Sequence, residues 1–142
     1  MESYKDKLLE AMFPLVDDLL EKYGEFFPLG AAILRDDGIA SLATYDGDER
    51  PKSDAVIADL KEAIKAGFKK REYKAAVIFY DIYVTHPETN IKSAAVAINY
   101  ESVGENSGFI FFFPYKFSED KELSYDPGWY DEVPKELFIE FS

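Results

Sequence analysis

Apolar residues recur along this chain in two rhythms. In MESYKDKLLEAMFPLVDDLLEKYG, Leu8, Leu9, Met12, Leu15, Val16, Leu19, Leu20 and Tyr23 fall three and four apart, the spacing of one helical face. Ser3 is placed to cap this helix and Gly24 to stop it. Pro14 is expected to bend it, because an interior proline removes a backbone hydrogen bond at a cost on the order of 3 kcal/mol. Val56, Ile57, Leu60, Ala63, Ile64 and Phe68 repeat the helical rhythm behind a Ser53 or Asp54 cap. Lysines crowd the end of that second helix, where its dipole favours cations.

The other rhythm belongs to strands. Two short runs, residues 29–35 and 39–44, flank Asp36-Asp37-Gly38, a hairpin signal because both turn residues tolerate positive φ. DGDERPKSD, residues 46–54, reads as a loop. Three longer runs follow at 73–85, 91–101 and 107–118, joined by HPETN and SVGENS. Connectors so short imply antiparallel neighbours. The expectation is one α+β domain spanning residues 1–142. It has an antiparallel sheet of about five strands with two main helices, in the order α-β-β-α-β-β-β. An irregular C-terminal segment follows, whose last apolar run, LFIEF, adds a strand or docks.

GFIFFFPYKF holds six aromatic rings in ten positions. Alternation puts Phe109, Phe111, Phe113, Tyr115 and Phe117 on one face, and Ile110 and Phe112, then Pro114 and Lys116, on the other. Its neighbour presents Ala94, Val96, Ile98 and Tyr100 on one side and Ser93, Ala95, Ala97 and Asn99 on the other. The small Ala95 and Ala97 let a helix approach closely or leave room for a ligand. A sheet apolar on both faces needs two covers. The second cover is the tail after Glu119, a second copy of the chain, or a bound partner or ligand.

Composition narrows the chemistry. Sixteen basic residues against 28 acidic give a net charge of −12, which repels phosphate backbones and anionic membranes and favours neither nucleic acid nor membrane as a partner. The acids are concentrated late: residues 118–142 carry eight against two lysines. Such a surface steers toward a basic protein. There is no cysteine, so disulfides, thiol nucleophiles and Cys-based metal sites are excluded; this fits a reducing, cytoplasmic setting. The acidic, amphipathic N-terminus does not read as a signal peptide, and no apolar run is long enough to span a bilayer.

Candidate sites are few. The lone histidine, His86 in THPETN, reads as a surface residue. Asp46, Asp48 and Glu49 offer oxygens but lack the spacing of a calcium loop, and no phosphate-binding glycine loop occurs, so neither metal nor cofactor is expected. Asp81 is the one charge inside AAVIFYDIYV. If buried, it needs a partner or its pKa rises. It either bonds a lysine or tyrosine at the sheet rim or forms an acid–base site with Asn99 and Tyr100, depending on register. In SYDPGWYDEVPKELF, Tyr125, Asp126, Trp129, Tyr130 and Asp131 interleave rings with acids, which suits an interface or a plug for the sheet.

The order helix, hairpin, helix, meander resembles profilin-like and roadblock-like arrangements, which implies binding, dimerisation or sensory roles. EKYGEFFPLGAAI, the DDG turn and FFFPYKF together are similar to small bacterial proteins of uncharacterised function, and this resemblance brings no catalytic residues. Small acidic bacterial proteins of this size include toxin-neutralising immunity proteins. Three readings remain open. The first is a non-catalytic, immunity-like protein-binding domain with a basic partner or a homodimeric form. The second is a ligand-binding or sensory domain with an apolar pocket beside Ala95 and Ala97. The third is an enzyme using Asp81 and tyrosines.

Overall fold

The computed structural model describes residues 3–26, 28–42 and 53–138. The first apolar stripe forms α1 (Tyr4–Tyr23), and the Ser3 hydroxyl accepts the Asp6 N–H at 3.1 Å. Gly24 ends it with φ of 74°, a left-handed conformation that glycine adopts without steric cost. Pro14 lies within the helix on its exposed side. The second stripe forms α2 (Ser53–Lys69). The loop holding Asp46, Asp48 and Glu49 lies outside the described residues.

Seven strands form the sheet: β1 (Leu29–Leu34), β2 (Ile39–Leu42), β3 (Tyr73–Thr85), β4 (Lys92–Ser102), β5 (Gly108–Phe117), β6 (Leu123–Tyr125) and β7 (Trp129–Val133). Every pairing is antiparallel, in the order β2-β1-β3-β4-β5-β6, with β7 also on β5. The expectation of about five strands is therefore short by two. β6 pairs with residues 115–117 of β5 and β7 with residues 108–112, so the two share one edge of the aromatic strand. Gly128, between them, makes this possible: a Cβ there would stand 2.4 Å from the Phe112 carbonyl oxygen. The two extra strands come from residues 123–125 and 129–133, ahead of LFIEF. Its first two residues, Leu137 and Phe138, dock, and the rest lies outside the described residues.

Burial explains the layering. Leu8, Met12, Val16 and Leu20 of α1 face Ala31, Ile33, Val77, Phe79, Val96, Ile98 and Tyr100 on one side of the sheet. Phe13 meets Phe79, Phe113 and Tyr125 edge-on at 5.4, 5.5 and 5.6 Å, the favoured geometry for ring pairs. On the other side Val56, Leu60 and Ile64 of α2 cover Ala32, Ala76 and Ile78, joined by Leu137 and Phe138. Each buried side chain here larger than alanine contributes roughly 1.5–3 kcal/mol relative to exposure. Among the described residues no helix is long and apolar enough to cross a membrane.

Glu101 pins the C-terminal segment. It is 5% exposed, and its carboxylate accepts the N–H groups of Glu136, Leu137 and Phe138, the last two at 2.9 and 3.0 Å. Lys61 of α2 clamps the same turn through Glu136 at 2.7 Å. Removing the carboxylate leaves buried donors unpaired, at about 1–3 kcal/mol each. Glu101→Ala should therefore lower stability by about 3 kcal/mol, and Glu101→Gln, which keeps one acceptor oxygen, by about half of that. Urea unfolding measures both, and faster amide exchange at Leu137 and Phe138 should accompany the alanine variant. Equal stability of all three proteins would contradict this anchoring.

Candidate functional site

Two phenol–carboxylate pairs stand on the α1 face of the sheet. The Tyr115 hydroxyl donates to Asp81 at 2.7 Å and the Tyr125 hydroxyl to Asp17 of α1 at 2.5 Å. The Asp81 carboxyl is pushed above the ordinary aspartate value chiefly by burial. The Tyr115 hydrogen bond opposes that push, nearby Glu25 adds to it, and a backbone hydrogen bond from Phe26 opposes it. Burial and the paired carboxylate hold both tyrosine protons more tightly than usual. A general acid must release its proton near the working pH. These hydroxyls are instead fixed donors, and the pairs act as ties, one joining β5 to β3 across β4 and the other joining β6 to α1. Of the two readings of Asp81, the tyrosine-bonded one is observed.

Register separates the proposed acid–base trio. Asp81 lies opposite Val96, whereas Asn99 lies opposite Ile78, so their side chains project from opposite faces. Asn99 accepts the Tyr80 hydroxyl at 2.9 Å on the α2 side. Tyr100 shares the Asp81 face but is four residues along β4 from Val96, roughly 13 Å away. Its hydroxyl is raised mainly by burial. Asp81, Asn99 and Tyr100 therefore form no common site. At Ala95 and Ala97, where a pocket between helix and sheet is expected, α2 does not supply the cover. Both are fully buried, but neither belongs to the cluster beneath α2, which packs on β1 and β3.

The residues picked from the tail divide. Tyr125 faces inward in its tie to Asp17, and Asp126 pairs with Lys116 at 3.4 Å. Trp129, Tyr130 and Asp131 sit together on β7. Trp129 stacks on Phe112 at 5.4 Å, and Tyr130, 60% exposed, leans on Phe111 and Phe109 at 5.7 and 6.0 Å. Trp129 extends the sheet as part of β7, with its half-buried ring lying on Phe112. Neither Asp131 nor Glu132 has an ion-pair partner among the described residues. His86 also belongs here: its Nδ1 accepts the Glu88 N–H at 3.1 Å, and its ring meets Trp129 at 4.8 Å.

The reading of the sequence missed Tyr115 and Asp17 as partners, and the contact of His86 with Trp129. Alternation placed Tyr115 on the correct face, but nothing local marked its partner. Among the described residues no group of three or more His, Asp or Glu side chains is arranged to hold a metal. Comparison with family models, curated proteins and solved structures finds no match.

The Asp81 pair makes a pH prediction. Well below pH 4 Asp81 is neutral in both folded and unfolded chains. As pH rises from the ordinary aspartate value of about 4 to the elevated folded value, the unfolded chain ionises first, so this residue's contribution to stability falls across that window and stays low above it. Asp81→Asn should remove that fall and be the more stable protein, relative to wild type, at pH 7 than at pH 3. Tyr115→Phe should raise the Asp81 pKa further, because it deletes the hydrogen bond favouring the ionised form. Carboxyl-carbon NMR titration reads the second effect, and an unchanged or lowered Asp81 value would refute the tie.

Proposed function

We propose that this chain is a non-catalytic protein-binding domain whose contact surface is the corner built by β5 and β7, and that its partner is basic. The observation that carries this reading is the grouping on β7 of exposed or half-exposed rings, Trp129 and Tyr130, with two carboxylates, Asp131 and Glu132, that have no ion-pair partner among the described residues. Large rigid rings supply contact area at small entropic cost, and truncating such rings in interfaces typically costs the most. Unpaired carboxylates beside them favour cationic side chains and reject anionic ones. The net charge of −12 extends that preference over distance, raising encounter rates with basic proteins and lowering them with nucleic acids.

The phenol–carboxylate ties support the same reading from the other side. The most perturbed groups among the described residues are the ones committed to holding α1, β3, β5 and β6 together. Their tightly held protons suit rigidity, and a rigid sheet presents the corner with little ordering cost on binding.

Tagged protein in lysate of the source organism, read by mass spectrometry at low and high salt, tests this proposal. A stoichiometric basic protein that dissociates at high salt is expected. Trp129→Ala should weaken that complex about 30-fold, the equivalent of ~2 kcal/mol. Asp131→Lys should weaken it comparably, and Asp59→Lys on α2, with the same change in net charge, should leave it nearly unaltered. If the two charge reversals act equally, the corner is not the contact surface.

A further inference from the structure

β7 is an edge strand. Its only strand partner among the described residues is β5. Which of its backbone groups face outward follows from hydrogen-bond alternation. The Asp126 N–H donates to the Pro114 carbonyl, so the even-numbered residues of β5 direct their backbone groups toward β6 and β7. The Val103 N–H donates to the Lys74 carbonyl, which fixes the same parity from β4, where the even-numbered residues face β5. In the β5–β7 register Trp129, Asp131 and Val133 lie opposite Phe112, Ile110 and Gly108 and bond inward. Tyr130 and Glu132 therefore point their N–H and C=O groups away from the sheet, and no hydrogen bond satisfies them among the described residues.

We propose that this outward edge accepts an extended basic segment of the partner as an eighth strand, with the Tyr130 and Glu132 backbone groups as the ladder and the Asp131 and Glu132 carboxylates as the reader of charge. The inference rests on the protein-binding reading above and adds its mode. Strand addition draws affinity from backbone hydrogen bonds and specificity from side chains that alternate across the edge. Here the alternation is chemical. Trp129 and Asp131 flank the ladder on one face, and Tyr130 and Glu132 on the other. A segment alternating lysine or arginine with apolar residues sets all its cations on one face, against the ring and the carboxylate there, and its apolar side chains on the other, against the second ring.

Charge selects this occupant over a second copy of the chain. Two chains of net charge −12 joined at β7 would bring four carboxylates, Asp131 and Glu132 of each, against one another. β2, at the other end of the sheet, reads Ile-Ala-Ser-Leu and carries no charge with which to select a basic segment. Acidic side chains on an edge also guard against self-pairing. That guarding role alone predicts no binding to any basic strand.

The test uses the full chain and a ten-residue peptide of alternating lysine and valine. A glutamate–valine peptide and a lysine–valine peptide with proline at alternate positions serve as controls. The lysine–valine peptide should bind, slow amide exchange at Tyr130 and Glu132 at least tenfold, and leave the inward amides of Asp131 and Val133 unchanged. Neither control should bind. Glu132→Gln should weaken binding a fewfold by loss of charge. Glu132→Pro also removes an outward N–H that β5 does not use, and should weaken binding at least tenfold beyond that, with an unchanged urea midpoint confirming folding. Binding without slowed exchange at Tyr130 and Glu132, or equal binding of the proline peptide, overturns strand addition while leaving recognition of basic partners standing. No binding of the lysine–valine peptide overturns it in favour of the guarding role. Failure of the protein-binding reading shows separately, as intact complexes with Trp129→Ala and Asp131→Lys.

Discussion

β3 is apolar on both faces from residue 75 to 79, where every side chain is fully buried, and the rest of the chain answers to that constraint. A strand of this kind cannot meet water on either side, so the sheet needs a layer above and a layer below. α1 supplies one layer with a regular four-residue stripe. α2 is shorter and covers β1 and β3, and the C-terminal segment completes that side with Leu137 and Phe138. Glu101 holds the segment there by accepting three consecutive backbone N–H groups, which turns a charged residue on the inner face of a central strand into the anchor of a cover.

The aromatic strand raises a second demand. β5 presents Phe109, Phe111, Phe113 and Tyr115 to the α1 side, and its outer edge would be a long apolar template for aggregation if left bare. Two short strands divide that edge between them, turning at Asp126-Pro127-Gly128. The new outer boundary is β7, only five residues long and bearing two carboxylates. An apolar edge is thereby exchanged for a short acidic one. The aromatic content of the chain thus serves packing first. What is left over for recognition is the margin, where Trp129 and Tyr130 rest on the rings beneath them while remaining partly in solvent.

Polar groups in this molecule work as fasteners. The Tyr115–Asp81 and Tyr125–Asp17 bonds tie elements whose apolar contacts alone would allow sliding, because a hydrogen bond to a carboxylate is directional and burial of the pair penalises its loss. The excess of acid over base is greatest late in the chain, where eight acids stand against two lysines in residues 118–142 and give the β5–β7 corner its sign.

Much of this was legible from local pattern. The 73–85 run coincides with β3, Ser3 and Gly24 bound α1, and alternation assigned the faces of β4 and β5 correctly. These features depend on spacing between near neighbours, which the sequence states directly. β6 and β7 were not legible as strands. Three residues are too few to show a period, and an edge strand with solvent on both faces, as in Trp-Tyr-Asp-Glu-Val, has no apolar side to alternate with a polar one. Register was equally hidden, and with it the separation of Asp81 from Asn99. A one-residue slip between β3 and β4 would reverse which side chains share a face, and only packing on both sides of the sheet sets that choice. The sequence by itself determined two helices, an antiparallel meander and an acidic surface, since each follows from the order of neighbouring residues. Tertiary structure alone decided which carboxylates became fasteners and which stayed free at an edge, because that depends on pairings between residues distant in the chain.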